Sequence, residues 1–105
     1  MTSLKTKTFE DLLVWQKAMN LVENIYQECR SGPLAKDWGL RDQLQRTAVS
    51  IPANIAEGYE RGFHKEYLRF LAIAKGSAGE LRCLIQVARN AAENPVPISE
   101  IAMQE

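Results

Sequence analysis

The chain has 105 residues with 13 basic and 13 acidic side chains, so its formal charge is zero and no global field points to nucleic acid or membrane. That length suits one domain with a single modest core, and 46% apolar with 25% charged residues is ordinary for a soluble globular chain. No run approaches the roughly 18 apolar residues of a membrane span, and the first eight residues lack the apolar stretch of a secretory signal.

These bounds predict a cytoplasmic protein with no membrane association. Cys29 and Cys83 sit inside helical patterns without metal-ligand spacing, so they read as reduced, small apolar residues.

Residues 1–7 read as a weakly ordered lead. Thr8 with Asp11 three residues on resembles a capping box, which predicts a first helix over 9–30. Leu12, Trp15, Met19, Val22, Tyr26 and Cys29 follow at alternating steps of three and four. Val14, Ala18, Leu21 and Ile25 form a second apolar row beside them, a width that implies more than one packing neighbour. Ser31-Gly32-Pro33 stops the helix. A short connection follows, with Asp37 as the next N-cap and Leu34 and Trp38 closing the end of the core.

The second helix is predicted over 38–61. Leu40, Leu44, Ala48, Ile51, Ile55 and Tyr59 share one face, and Val49, Ala53 and Ala56 a smaller second one. Between the two runs a polar line, Gln43, Thr47, Ser50, Asn54, Glu57 and Arg61, which reads as a network fixing register and assembly. Pro52 removes a backbone donor, so a kink is expected there.

Gly62 breaks that helix, and a third is predicted over 64–93. Its seam is Tyr67, Phe70, Ala74, Ser77, Leu81, Leu84, Ala88 and Ala91. On the opposite side Ala72, Gly76, Gly79 and Cys83 form a row of small residues, a candidate surface for close approach of another backbone, because glycine weakens a helix interior by about 1 kcal/mol relative to alanine. Asn94-Pro95-Val96-Pro97 ends the helix, and 98–105 look like two turns of a fourth. Short loops between long helices predict antiparallel neighbours. The fold expected is therefore all-α, an up-down-up-down four-helix bundle in one domain over 1–105, with a kinked second helix and a truncated fourth.

Catalysis finds little support: the single histidine, His64, stands near no Ser or Cys at a recognisable motif spacing. Glu57, Glu60 and His64 are close in sequence, but Gly62 interrupts them and the paired Glu-x-x-His motifs of di-metal bundles are missing. No cofactor, metal or catalytic residue is expected. The chemically suggestive feature is basic. Over 61–89 six basic residues face two acidic ones, and Lys75, Arg82 and Arg89 repeat every seven residues along one edge. Lys65 and Arg69 lie on the other edge, and all five are candidate nucleic-acid contacts.

Three stretches together resemble the 23S rRNA intervening-sequence protein family. They are Phe9-Glu-Asp-Leu-Leu-Val-Trp-Gln-Lys-Ala18, the run from Gln43 through Ser50-Ile-Pro-Ala-Asn-Ile-Ala-Glu-Gly58, and Lys65-Glu-Tyr-Leu-Arg-Phe-Leu-Ala-Ile-Ala-Lys-Gly-Ser77 followed by Glu80-Leu81. The resemblance implies a small bacterial four-helix-bundle protein that assembles into a ring-like homopentamer. It also implies kinship with the accessory protein of diversity-generating retroelements, which binds a reverse transcriptase and is associated with nucleic acid. No catalytic residues carry over.

This chain departs from the family pattern at Phe63, where a capping Ser or Thr is common, and at Arg82-Cys83, which makes that face more basic. Its short fourth helix leaves a groove either open or filled by a neighbour. The function expected is a non-enzymatic, homo-oligomeric scaffold associated with RNA. The alternative is an adaptor for a protein partner such as a reverse transcriptase.

Overall fold

The computed structural model describes residues 6–93, and every regular element among them is helical. A 3₁₀ turn, Phe9–Asp11, leads into α1 (Leu13–Glu28). A single helical turn, α2 (Pro33–Lys36), leads into α3 (Trp38–Glu60), and α4 (His64–Glu93) follows a tight connection. The all-α expectation holds. The stretch expected to form the fourth helix, 98–105, lies outside the described residues.

The first helix starts later than the capping signal suggests. The Asp11 carboxylate does fold back, accepting from the Lys7 and Thr8 amides at 2.9 and 3.1 Å. It closes only the 3₁₀ turn, because Leu12 is extended at φ −74°, ψ 127°. That extended residue packs Leu12 against the core and gives α1 its true start at Leu13. At the other end Gly32 takes φ 73°, a left-handed conformation that glycine adopts without steric cost. Pro33 then opens α2 in its preorganised position, so the expected loop contains a helical turn. Asp37 caps α3 as expected, accepting from the Leu40 amide at 3.3 Å.

α3 is the centre of the structure, packed along α1 on one side and α4 on the other. Leu44, Ala48, Ile51 and Ile55 are buried, joined by Ala18, Ile25 and Cys29 from before α3 and by Ala74 and Leu81 from α4. Of the two apolar faces predicted for this helix, the chain itself covers the larger. Its smaller face stays open, with Val49 and Ala53 exposed. On α1 the buried residues belong to the second predicted row: Ala18 and Ile25 are buried and Leu21 half-buried, whereas Trp15, Met19 and Val22 of the first row are half-buried and Tyr26 is exposed. α3 is the long helix that α1 packs along, and one such neighbour buries only part of the wide apolar strip.

Pro52 lies buried inside an α3 whose helical assignment is continuous. Its neighbours bond back to the same helix: Ser50 Oγ donates to the Thr47 carbonyl at 2.6 Å, and Asn54 Nδ2 donates to the Ser50 carbonyl at 2.7 Å. Ser50 thus reaches the Thr47 carbonyl, one residue before the Ala48 carbonyl that a proline at 52 deprives of its amide partner.

α3 and α4 come close together at Gly58. A Cβ built there would stand 2.6 Å from the Phe70 Cβ and 3.4 Å from the Tyr67 Cα. Only glycine lets α3 and α4 meet at that distance.

Candidate assembly and nucleic-acid surface

α4 presents a long outer face, and its composition is unusual for exposed helix. Leu68, Ala72, Gly76, Gly79, Cys83 and Val87 recur at helical spacing without a charge among them, and all six are exposed. Among the described residues nothing stands within 4 Å of a Cβ built at Gly76 or Gly79. Cys83 is a free, exposed thiol. Leu68 is 52% exposed and Val87 47%, which places apolar side chains at both ends of this smooth strip.

The basic residues divide. Lys75, Arg82 and Arg89 are exposed along one edge, one heptad apart, and no ion pair engages them among the described residues. Lys65 and Arg69 lie on the opposite edge. Arg69 is occupied: its Nη2 pairs with Glu66 at 3.2 Å and its guanidinium lies 4.7 Å from the Phe70 ring centre.

Glu66 also faces Arg61 at 3.8 Å, and Arg61 pairs with Glu57 at 2.9 Å while its guanidinium lies 5.0 Å from the Phe70 ring centre. Arg69 first, with help from Arg61, holds the Glu66 carboxyl below the ordinary range, and the Glu57 hydrogen bond raises the Arg61 guanidinium further. This chain of charges ties the end of α3 to the start of α4.

The predicted polar line is distributed unevenly. Thr47 is buried, Ser50 and Asn54 are half-buried, and Gln43, Glu57 and Arg61 are exposed. Ser50 donates to the Thr47 carbonyl, Asn54 to the Ser50 carbonyl and Arg61 to the Glu57 carboxylate, so the line is linked within its own helix and only the last of these bonds joins two side chains.

Trp38 departs from its expected core role. It is 67% exposed, with the Arg41 guanidinium 4.6 Å over its ring, while Leu34 alone joins the core edge. A residue one step inside an N-cap faces outward when the buried stripe begins at Leu40, and that offset was readable from the spacing.

A recess of about 540 Å³ lies at the α3–α4 turn among Leu12, Gly58, Tyr59, Phe63, His64 and Tyr67. Burial pushes the Tyr67 hydroxyl pKa up, and the Tyr59 hydroxyl donates weakly to the Thr6 carbonyl at 3.5 Å. Among the described residues no cluster of three or more His, Cys, Asp or Glu side chains assembles, and no helix is long and apolar enough to cross a membrane.

An all-helical layer centred on one long proline-containing helix, with a smooth apolar face on the next, defines a helical-bundle protein. The 23S rRNA-intervening sequence protein family matches residues 10–93, and the chain belongs to it. No curated protein matches the chain.

Proposed function

We propose that this protein is a non-enzymatic, cytoplasmic homo-oligomer, a pentamer as the family resemblance implies, that serves as a scaffold for RNA. The observation that carries the nucleic-acid part is the row Lys75, Arg82 and Arg89, exposed and without ion pairs among the described residues. One heptad of helix rises about 10 Å, so the three cations form a line about 20 Å long in each copy. Repetition around an assembly builds a field that a neutral single chain lacks. The assembly part rests on the uncharged outer face of α4, where Gly76 and Gly79 leave room for a neighbouring backbone.

The test is binding of a single-stranded RNA across a salt series. Each phosphate neutralised contributes about −0.7 to the slope of log affinity on log salt, so one copy's row predicts a slope of about −2. Changing Lys75, Arg82 and Arg89 together to Glu should abolish binding while the helical circular dichroism stays unchanged. Binding that ignores salt, or survives the triple change, contradicts the reading.

A second reading is an adaptor for a protein partner such as a reverse transcriptase. Exposed Leu68, Ile73 and Val87 favour it, because apolar side chains on an open helix face suit a protein surface better than a phosphate backbone. Recovery of a defined protein complex that excludes RNA supports this second reading over the first.

A further inference from the structure

The recess at the α3–α4 turn is walled largely by aromatic rings: Tyr59 from α3, Phe63 from the turn, and His64 and Tyr67 from α4. Its volume of about 540 Å³ lies inside the span of roughly 300–1,000 Å³ typical of small-molecule sites. The Tyr59 and Tyr67 rings meet edge to face, with centroids 6.3 Å apart and planes at 81°.

Packing does not account for Phe63. Its side chain is 71% exposed, and its carbonyl accepts the first α4 bond, from the Tyr67 amide at 2.9 Å, so it holds the N-cap position. A Ser or Thr there would accept from a free amide of the first turn, whereas Phe offers no acceptor and leaves a large ring in water. Gly62, left-handed at φ 79°, makes the turn that carries it. An open aromatic face beside a recess suits a flat ring, which stacks on it with an offset. Trp38 is exposed too, but the Arg41 guanidinium lies 4.6 Å from its ring centre and takes one of its faces.

The walls also carry hydrogen-bonding groups that a purely apolar ligand would leave unmatched. The Tyr59 hydroxyl reaches the Thr6 carbonyl only at 3.5 Å, beyond the roughly 2.5–3.0 Å usual for a hydroxyl donor, so a better acceptor can displace it. The Tyr67 hydroxyl and the His64 ring add donor and acceptor capacity. On the rim, Lys7 and Lys65 follow the lining residues Thr6 and His64, and both are exposed without an ion pair among the described residues. Of the neighbouring acids, Asp11 is engaged by the Lys7 and Thr8 amides and Glu66 by Arg69, which leaves Glu60 against two lysines. Flat faces, a few hydrogen-bonding groups and a weakly basic rim together match a base joined to a phosphate.

We propose that this recess takes one unpaired base of single-stranded RNA, stacked on Phe63, hydrogen-bonded by the Tyr59 and Tyr67 hydroxyls, with Lys7 and Lys65 beside its phosphates. This rests on the RNA reading above and adds to it a preference for single strands, because a paired base keeps its faces inside the duplex. Lys75 of the basic row lies about 15 Å further along α4 than Lys65, so one strand engages both.

Fluorescence anisotropy of a short labelled oligouridylate, alone and paired to its complement, tests the proposal on the full chain. Phe63→Ser removes the ring and supplies the missing cap. It should weaken single-strand binding about 5- to 150-fold, the range for one base stacked on an aromatic side chain. Its salt slope should match the parent's, and its thermal stability should equal or exceed the parent's. Tyr59→Phe, which keeps the ring and loses the hydroxyl, should weaken binding to a lesser degree, and Trp38→Ala should bind as the parent does. Salt-dependent binding that survives Phe63→Ser at parental affinity would overturn the recess and leave the RNA reading standing. Duplex bound as tightly as single strand, or uridine monophosphate competing as well as the oligomer, would also overturn it. Absence of RNA binding by the parent would sink both readings together.

Discussion

Gly58 and Phe70 are the tightest residue-level constraint in the structure. Replacing Gly58 by Ala sets a Cβ 2.6 Å from another Cβ, and that atom is anchored to the α4 backbone and cannot swing aside. The helices must separate, and overpacking of this kind costs about 1–3 kcal/mol. Urea denaturation of Gly58→Ala should show that loss, whereas Gly76→Ala and Gly79→Ala, whose Cβ positions are open within the copy, should lose nothing of the packing between α3 and α4. Equal midpoints for the three variants would refute the assignment. Glu66 gives a pH test. Its folded pKa is depressed, so its contribution is present above the unfolded pKa and fades as pH falls through the folded value. Thermal unfolding of Glu66→Gln should therefore lie below the parent at neutral pH and converge with it in acid. The difference is small, because the pair is solvent-screened.

At the scale of elements, the core of α3 and α4 dominates. Leu81 is 2% exposed and touches the cluster shared by all three long helices, so Leu81→Ala should cost about 2–5 kcal/mol by denaturant unfolding. Trp38→Ala, despite removing the larger side chain, should cost far less. Much of this was legible in the sequence: the seam Phe70, Ala74 and Leu81 and the face Leu44, Ala48, Ile51 and Ile55 follow strict helical periodicity, and burial reproduces them. What was not legible depends on contacts between elements. Periodicity places Gly58, Gly76 and Gly79 all in helices, yet only the fold reveals which one meets a neighbour. The extended Leu12 was hidden for a similar reason, since a capping signature serves a 3₁₀ turn as well as an α-helix. The basic row was visible by its heptad spacing, but the engagement of Arg69 by Glu66 and Phe70 required the folded turn.

At the scale of the whole molecule, the described part is elongated, 58 × 31 × 20 Å, and much of its apolar surface lies open. Among the described residues Leu13, Val14, Trp38, Phe63, Leu68 and Val87 are exposed, and Leu68 and Val87 share the uncharged strip of α4. Assembly through the α4 face makes a chemical prediction. Cys29 is buried and its thiol pKa is raised by that burial, so it should resist modification until unfolding. Cys83 is exposed in one copy but lies in the proposed contact, so its labelling rate should fall as protein concentration rises. A Cys83 rate independent of concentration argues against that face. The most direct measurement is the mass in solution by sedimentation velocity or light scattering at micromolar concentration. The account predicts about 60 kDa, five copies of the 11.9 kDa chain, and a loss of that species when Gly76 and Gly79 are replaced by bulky residues. A stable 11.9 kDa monomer would contradict it.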